Sequence, residues 1–347
     1  MRILAKTYID EQEFASKSKY VCNNVSEYSC DGLEIHLQAP GDIDELSRHS
    51  EWFRDIYIIH MPMKKNEEDL FWLEDINSPA FAHQFRDLFQ LAQKIYRYNN
   101  GSHRVGIVIH IQTIDSVPID VIRTFREILR DLEIDIYVEN LDNSINTYSR
   151  QDAVIAFLKL ETGYNRIYPC VDICHTIMNW NRGTADMGDD TYWEFLKHYF
   201  FLFPKYQGGL IHLSSIRGDG YGPGKHGIPF DLSNKFDNFL MENIVDLYNS
   251  MCSPYDLPIT IEVWEPSSEA YIKGHGYINT CALLKKNASK YVDACNLANI
   301  RSSDTDNNVF YRKNLAAELP DIEGIIENDV EQANFVNILQ GERDGEI

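Results

Sequence analysis

Eight short runs of apolar residues, separated by segments with helical spacing, constrain the fold of this chain more than any other feature. The runs cover residues 2–8, 32–37, 56–60, 105–110, 134–139, 167–172, 209–212 and 258–262. Near-continuous Val, Ile and Leu are typical of parallel strands that are covered on both faces, and amphipathic helices between the strands provide that cover. Eight such units predict an α/β protein with a single (β/α)8 TIM barrel.

The barrel is expected to occupy most of the chain, over residues 1–300, and residues 301–347 to form a peripheral, partly irregular and acidic extension. The clearest helix covers residues 80–98, in which Phe85, Leu88 and Ala92 recur at helical spacing. Segments 179–190 and 214–230 are rich in Gly and polar residues. Long loops of this kind at the C-terminal face of a barrel usually shape access to a site.

Composition excludes some classes of protein. Of the 347 residues 44% are hydrophobic, and no apolar run reaches the length of about 18 residues that spans a bilayer. The N-terminal residues enter a strand at once and lack the pattern of a signal peptide, so we expect a cytoplasmic protein without a membrane partner. Seven scattered cysteines without a CxxC pair indicate reduced thiols, and ligation by Cys170 or Cys174 is disfavoured.

The chain is strongly acidic, with a formal net charge of -21, which disfavours a broad nucleic-acid surface. Bound divalent ions would nevertheless make one region of an acidic protein locally positive. The net charge therefore argues against nucleic-acid binding over the outer surface, but it does not argue against a metal site. The composition gives no prediction of the oligomeric state.

Acidic and histidine side chains end the predicted strands from the third onward. They are His60, His110, Glu139, Asp172, His212 and Glu262, and His175 follows the sixth strand. Each residue type is a ligand for first-row metals, and the C-terminal ends of barrel strands converge on one mouth. Because burying several acids there without cations would cost much free energy, the pattern predicts a metal site. His36, which alternates with Glu34 in the second run, is predicted to be structural.

A two-metal site needs a carboxylate that bridges ions about 3.5–4 Å apart. Glu139, in Val138-Glu139-Asn140, is the candidate bridge. His60 and His110 would complete one ion with Glu139. The second ion would be completed by three further ligands, Asp172, His212 and Glu262.

These motifs resemble the endonuclease IV family (AP endonuclease family 2) within the xylose isomerase-like barrels. The resemblance is carried by His60, His110, Glu139-Asn140, Asp172-x-Cys174-His175, His212-Leu213, His226 and Glu262. It implies three zinc ions and hydrolysis of the phosphodiester on the 5′ side of abasic sites in DNA. It also implies that His175 and His226 hold the third ion.

The chain departs from that family near the third ion. The family places an Asp two residues before its last His, where this chain has Gly224 before His226. Asp219 and Asp186 are the candidate replacements, and the third ion is expected to bind more weakly than the other two.

Sugar isomerases and epimerases that resemble tagatose epimerase provide the alternative. They use one divalent ion, which the resemblance would place on Glu139, Asp172, His212 and Glu262, and Arg217 would lie near the ligated oxygens. The presence of His60 and His110 favours the hydrolase, because a mononuclear isomerase has less need of them as ligands.

The sequence thus predicts a metal-dependent hydrolase in which a metal-activated water attacks a phosphoester, with damaged DNA as the candidate partner and a small sugar as the alternative. We expect two to three Zn²⁺ ions, with Mn²⁺ as the alternative metal. The predicted catalytic residues are Glu139, Asp172 and Glu262. The predicted substrate contacts are Arg217, Asp219 and Asn140.

Overall fold

Eight parallel strands close into a barrel in a computed structural model of the chain, and their order around the axis follows the order of the sequence. The structure describes residues 1–21, 29–64, 70–112, 117–141, 148–181, 192–216, 227–231, 233–263 and 275–302. The strands are β1 (Arg2–Tyr8), β2 (Gly32–His36), β3 (Ile56–His60), β4 (Gly106–Ile109), β5 (Asp135–Glu139), β6 (Ile167–Asp172), β7 (Leu210–Leu213) and β8 (Pro258–Ile261). The predicted TIM barrel is confirmed.

Barrel closure joins the first strand to the last. Leu4 of β1 pairs with Thr260 of β8, and Ala5 pairs with Ile261. Residues at opposite ends of the chain therefore become neighbours inside the barrel. Two predicted site residues, His110 and Glu262, lie one residue beyond the ends of their strands.

Helices cover the outside of the barrel. They are α1 (Glu11–Ser18), α2 (Asp42–Arg48), α3 (Ala82–Tyr98), α4 (Ile119–Leu129), α5 (Tyr148–Thr162), α6 (Ile173–Asn181), α7 (Tyr192–Tyr206), α8 (Lys235–Leu247) and α9 (His275–Ser302). The predicted apolar stripe of α3 is buried, including Phe85, Leu88 and Ala92. Apolar residues on the outer face of the strands and the inner face of the helices form the larger core. This packing fixes the strand ends that carry the site.

An apolar layer fills the barrel interior at mid-height. It consists of Leu4, Ile58, Val108, Tyr137, Cys170 and Leu210. Because side chains alternate along a strand, the residue two positions later points to the same interior. Those residues are Lys6, His60, His110, Glu139, Asp172 and His212. The strand period therefore places an apolar plug directly below a ring of polar side chains.

The remaining predictions about the chain concern its C-terminus and the membrane. The extension over residues 301–347 lies almost wholly outside the described residues. Within the part of the chain that the structure describes, no helix has the length and apolarity needed to cross a membrane.

Candidate metal centre

Four predicted ligands meet at the C-terminal mouth of the barrel. Glu139, Asp172, His212 and Glu262 each offer a ligand atom, and these atoms lie within 4.8 Å of one another. Nδ1 of His212 lies 3.2 Å from Oε1 of Glu139 and 2.9 Å from Oε2 of Glu262. One imidazole nitrogen thus faces two carboxylates from β5 and β8, and all four side chains are buried.

A second group shares Glu139 and lies toward β3 and β4. Oε2 of Glu139 is 2.7 Å from Nε2 of His110 and 3.4 Å from Nε2 of His60. Nδ1 of His60 faces the backbone oxygen of Met61 at 2.9 Å, which leaves Nε2 directed at the carboxylate. His60, His110 and Glu139 form a second set able to hold a metal ion. Glu139 therefore lies between the two groups, and its role as a bridging ligand stays a prediction.

Electrostatic contacts keep the central carboxylates ionised. Burial opposes ionisation of Glu139, but hydrogen bonds from His110, His212 and His60 outweigh it and hold the pKa of Glu139 well below its usual range. Burial also opposes ionisation of Glu262. The positive charges of Lys6 and His212 outweigh it and hold the pKa of Glu262 well below its usual range. Both carboxylates are available to a cation at neutral pH.

Beside the four ligands lie further polar residues to which the sequence prediction assigned no metal or catalytic role. Glu34 accepts a hydrogen bond from Oγ1 of Thr260 at 2.5 Å, and its Oε1 lies 3.0 Å from Nε2 of both His212 and His36. The ring of His36 also stacks on His60, with centroids 4.2 Å apart. His36 was predicted to be structural because no partner was apparent. Its partner is Glu34, two residues earlier on the same strand. Because side chains two positions apart on a strand lie on the same face, this spacing was the signal that could have indicated the contact.

The sequence prediction also did not include Lys6, whose side chain is largely buried. Nζ of Lys6, on β1, lies 3.0 Å from Oε1 of Glu262. Burial lowers the pKa of Lys6, but the charge of Glu262 outweighs it and raises the pKa above its usual range. Lys6 therefore carries a positive charge in the polar ring. Its position two residues after the apolar Leu4 was the only sequence signal.

Asp172 and His175 are positioned by the backbone around them. The amide of Asn140 accepts a hydrogen bond from the backbone N–H of Asp172 at 2.6 Å and donates one to its carbonyl at 3.2 Å. Asn140, predicted to contact substrate, is fully buried, and both ends of its amide are occupied by Asp172. Nδ1 of His175 lies 2.9 Å from the Asn140 carbonyl and 3.6 Å from Oδ2 of Asp172.

Several predicted site residues fall in segments that the structure does not describe. These are His226, Arg217, Asp219 and Asp186, and Gly224, where the family's Asp is missing, lies outside the described residues as well. The third ion therefore stays a prediction. Cys170 lies near Glu139 and His212, but burial raises the pKa of its thiol well above the usual range, which disfavours a thiolate ligand.

The residues present fit a divalent cation. Glu34, Glu139, Asp172 and Glu262 place four carboxylates in the barrel, each at most 8% exposed. Oε1 of Glu34 and Oε2 of Glu262 have no well-aligned hydrogen bond within the described part of the chain. Lys6 and the protonated imidazole of His212 provide two positive charges against these four carboxylates. Because buried negative charge that is only partly balanced is costly, a further positive charge is expected between the carboxylates.

Comparisons with known proteins place the fold. No model of a protein family and no curated protein matches this chain. A solved structure described as a D-tagatose 3-epimerase-like protein matches with a TM-score of 0.50 and 15% identity, covering 84% of this chain and 100% of that chain. An L-ribulose 3-epimerase matches with a TM-score of 0.51 and 13% identity, covering 86% of this chain and 97% of that chain. At these identities the likeness establishes the fold.

The comparisons correct the functional prediction. The fold is similar to that of two TIM-barrel structures whose descriptions name a D-tagatose 3-epimerase-like protein and an L-ribulose 3-epimerase. The endonuclease IV-type hydrolase is contradicted, because the matching structures are described as sugar epimerases. His60 and His110 do not distinguish a hydrolase from an epimerase. Both residues stand beside Glu139, but that arrangement does not specify phosphoester chemistry.

Proposed function

We propose that this protein is a divalent-metal-dependent sugar epimerase or isomerase that acts on a ketose. One observation carries the proposal: the carboxylates of Glu139 and Glu262 both approach Nδ1 of His212, at 3.2 and 2.9 Å. Two carboxylates beside a single candidate ion position are the arrangement that proton exchange at carbon requires. The printed descriptions of the matching structures, a D-tagatose 3-epimerase-like protein and an L-ribulose 3-epimerase, support the same class.

Epimerisation beside a ketone requires two proton transfers. One carboxylate accepts the proton from the carbon, and the electron pair of the broken C–H bond moves into an enediolate. The second carboxylate takes up a proton from water and delivers it to the opposite face of that carbon, which restores the ketone with inverted configuration, and the first carboxylate then releases its proton to water. Glu139 and Glu262 are the proposed pair for these transfers, and their lowered pKa values leave either one able to accept the first proton.

The ion would be held by Glu139, Asp172, His212 and Glu262. When bound, it would polarise the ketone and the neighbouring hydroxyl, which makes the adjacent C–H more acidic. Three carboxylates and one imidazole form a donor set that suits Mn²⁺. His60, His110 and Glu139, with two imidazoles, are proposed as a second and weaker position that suits Zn²⁺.

Isotope exchange tests this function directly. Metal-free protein is loaded with Mn²⁺ and incubated in D2O with D-tagatose, D-fructose or L-ribulose, and the sugars are analysed by NMR. We expect deuterium at the carbon next to the ketone and appearance of the epimer or isomer with at least one sugar. Glu139→Gln and Glu262→Gln should each abolish exchange, whereas Glu127→Gln on the exposed face of α4 should not. Full metal loading without exchange into any of the sugars would refute the proposal.

A further inference from the structure

A cavity of about 250 Å³ lies at the opposite end of the barrel from the metal centre. It is lined by residues at the N-terminal ends of the strands, among them Arg2, Tyr57, His103, Arg104, Asp135 and Tyr137. The apolar layer of the barrel interior separates this cavity from the polar ring above it. The cavity is therefore a compartment of its own.

Three polar side chains line the cavity: Asp135, Tyr137 and the exposed Arg104. Asp135 and Arg104 make no side-chain hydrogen bond or close ion pair among the described residues. The hydroxyl of Tyr137 also has no hydrogen-bond partner there, although this residue is only 8% exposed. Asp135 and Tyr137 both line the cavity, and the Tyr137 hydroxyl is accessible there rather than enclosed by protein atoms. A ligand in the cavity can therefore form hydrogen bonds with both groups.

The wall around these groups is held in place by stacking and ion pairing. The ring of His103 stacks on Tyr57, with centroids 3.8 Å apart, and its Nε2 lies 3.1 Å from the Ile56 carbonyl. Nη2 of Arg2 donates to Oδ2 of Asp256 at 2.9 Å, and its guanidinium carbon lies 5.7 Å from the Tyr57 ring centre. Arg2 therefore stands at the rim with a fixed position.

Glycine on two strands makes room for the tyrosines of this end. A Cβ on Gly32 would lie 2.1 Å from Cδ2 of Tyr57, and a Cβ on Gly106 would lie 2.3 Å from Cε2 of Tyr137. Both contacts are far inside van der Waals distance, so any other residue at these positions would displace the rings. The aromatic lining thus depends on these two glycines.

Charge at this end differs from that of the whole chain. Burial raises the pKa of Asp135 to about 6, and the positive charges of Arg104, Arg166 and Arg2 act against that rise. Arg104 and Arg2 both line the cavity, so it presents guanidinium groups in a chain of net charge -21, and Arg2 also pairs with Asp256. These groups can bind an anion, while Asp135 supplies an acceptor for hydroxyl groups.

We propose that this cavity binds a small anionic polyol, such as a sugar phosphate or a sugar acid. The anionic group would pair with Arg104 and Arg2, because guanidinium groups bind phosphate and carboxylate with paired hydrogen bonds. Hydroxyl groups would bond to Asp135 and Tyr137. The volume is below that of a drug-sized pocket, which limits the ligand to the size of a simple metabolite.

Calorimetric titration with four probes tests the proposal. Ribose 5-phosphate and gluconate carry both an anion and hydroxyl groups, whereas inorganic phosphate and glucose each carry only one of these features. We expect saturable binding of at least one of the first two, at least ten-fold tighter than phosphate or glucose. The phosphate and carboxylate probes also distinguish the two kinds of anion.

Two variants locate the binding without disturbing the fold. Arg104→Met should weaken binding at least ten-fold and Tyr137→Phe about three-fold, because each removes a group that would contact the ligand. Neither side-chain group has a hydrogen-bond or ion-pair partner among the described residues, so thermal stability should stay near that of the parent protein. Arg86→Met, on the exposed face of α3, is the matched control and should bind normally.

A third variant separates this site from the metal centre. Glu139→Gln should keep full affinity for the polyol, because Glu139 lies on the other side of the apolar layer. The proposal would be overturned if none of the four probes bound at 20 times the millimolar concentrations usual for metabolites. It would also be overturned if the parent protein and Arg104→Met bound the probes equally well. Either result could occur whether or not the metal centre is an epimerase.

Discussion

The ammonium group of Lys6 lies 3.0 Å from Oε1 of Glu262, across the seam where β1 closes the barrel against β8. Both side chains are about 10% exposed. The pair places a permanent cation beside a carboxylate that also faces His212. A metal ion held by Glu262 would therefore share this carboxylate with a lysine.

Lys6→Met should destabilise the metal-free protein by about 3–5 kcal/mol, because it leaves a buried carboxylate without its cation. Added Mn²⁺ should recover part of that loss, since the ion replaces the missing positive charge. Urea unfolding with and without Mn²⁺ measures both effects. Lys197→Met removes a lysine from an exposed pair with Glu194 and should cost no more than about 1 kcal/mol. Equal losses with and without Mn²⁺ would contradict an ion beside Glu262.

Glu34→Gln should weaken metal binding by about 10–100-fold, although Glu34 is not in the four-residue ligand set. Its carboxylate lies 3.0 Å from Nε2 of His212, and this contact directs Nδ1 toward the other ligands. A competition titration with a metal-binding dye gives the affinity. Glu13→Gln alters an equally buried glutamate on α1 and should leave the affinity unchanged. Parent-like affinity in Glu34→Gln would show that His212 needs no such partner.

Glu139→Gln should lower metal affinity more than any other single change, by at least about 100-fold, because the amide loses the charge that two candidate ion positions share. Elemental analysis after dialysis should show less than one equivalent of metal. Circular dichroism of the same sample checks that the barrel is intact. If the variant retained the full complement of metal, the central position assigned to Glu139 would be wrong.

Asp135→Asn should stabilise the protein at neutral pH. The folded-state pKa of Asp135 is about 6 against an ordinary value of 3.8, so its ionisation opposes folding. Native stability therefore falls as the pH rises from about 4 to about 6, and the full penalty is present above that range. The variant should gain about 1–3 kcal/mol at pH 7.5, and the gain should shrink toward pH 4.5.

Urea unfolding at a series of pH values measures this difference. Asp131→Asn, at an exposed position after α4, is the control and should show no such pH-dependent gain. A variant that is equally stable or less stable than the parent protein at pH 7.5 would mean that the arginines around Asp135 already offset the cost of its burial.

Much of the barrel was predictable because its signals are local. Runs of Val, Ile and Leu bounded by polar segments mark each strand, and the observed strands begin and end within a residue or so of the predicted ones. In a parallel barrel all strands end at the same face, so residues such as Glu139 and Asp172 had to meet. Their convergence followed from the topology and required no knowledge of contacts.

The function was not predictable from the same signals. The strand-end positions of His60 and His110 predict phosphoester hydrolysis by resemblance, but a histidine at a strand end does not determine what a nearby carboxylate binds. The choice between hydrolase and epimerase depends on substrate contacts and on the number of ions. Neither property is encoded in the spacing of the ligands along the chain.

The sequence by itself determined the strand period, the barrel and the face on which His212 and Glu262 lie. Only the tertiary structure decided that Lys6 would pair with Glu262 and that Glu34 would lie against His212. The physical reason is that periodicity is a property of neighbouring residues, whereas closure joins strands that are far apart. Lys6 and Glu262 are separated by 256 residues, and their ion pair exists only because β1 and β8 share a seam.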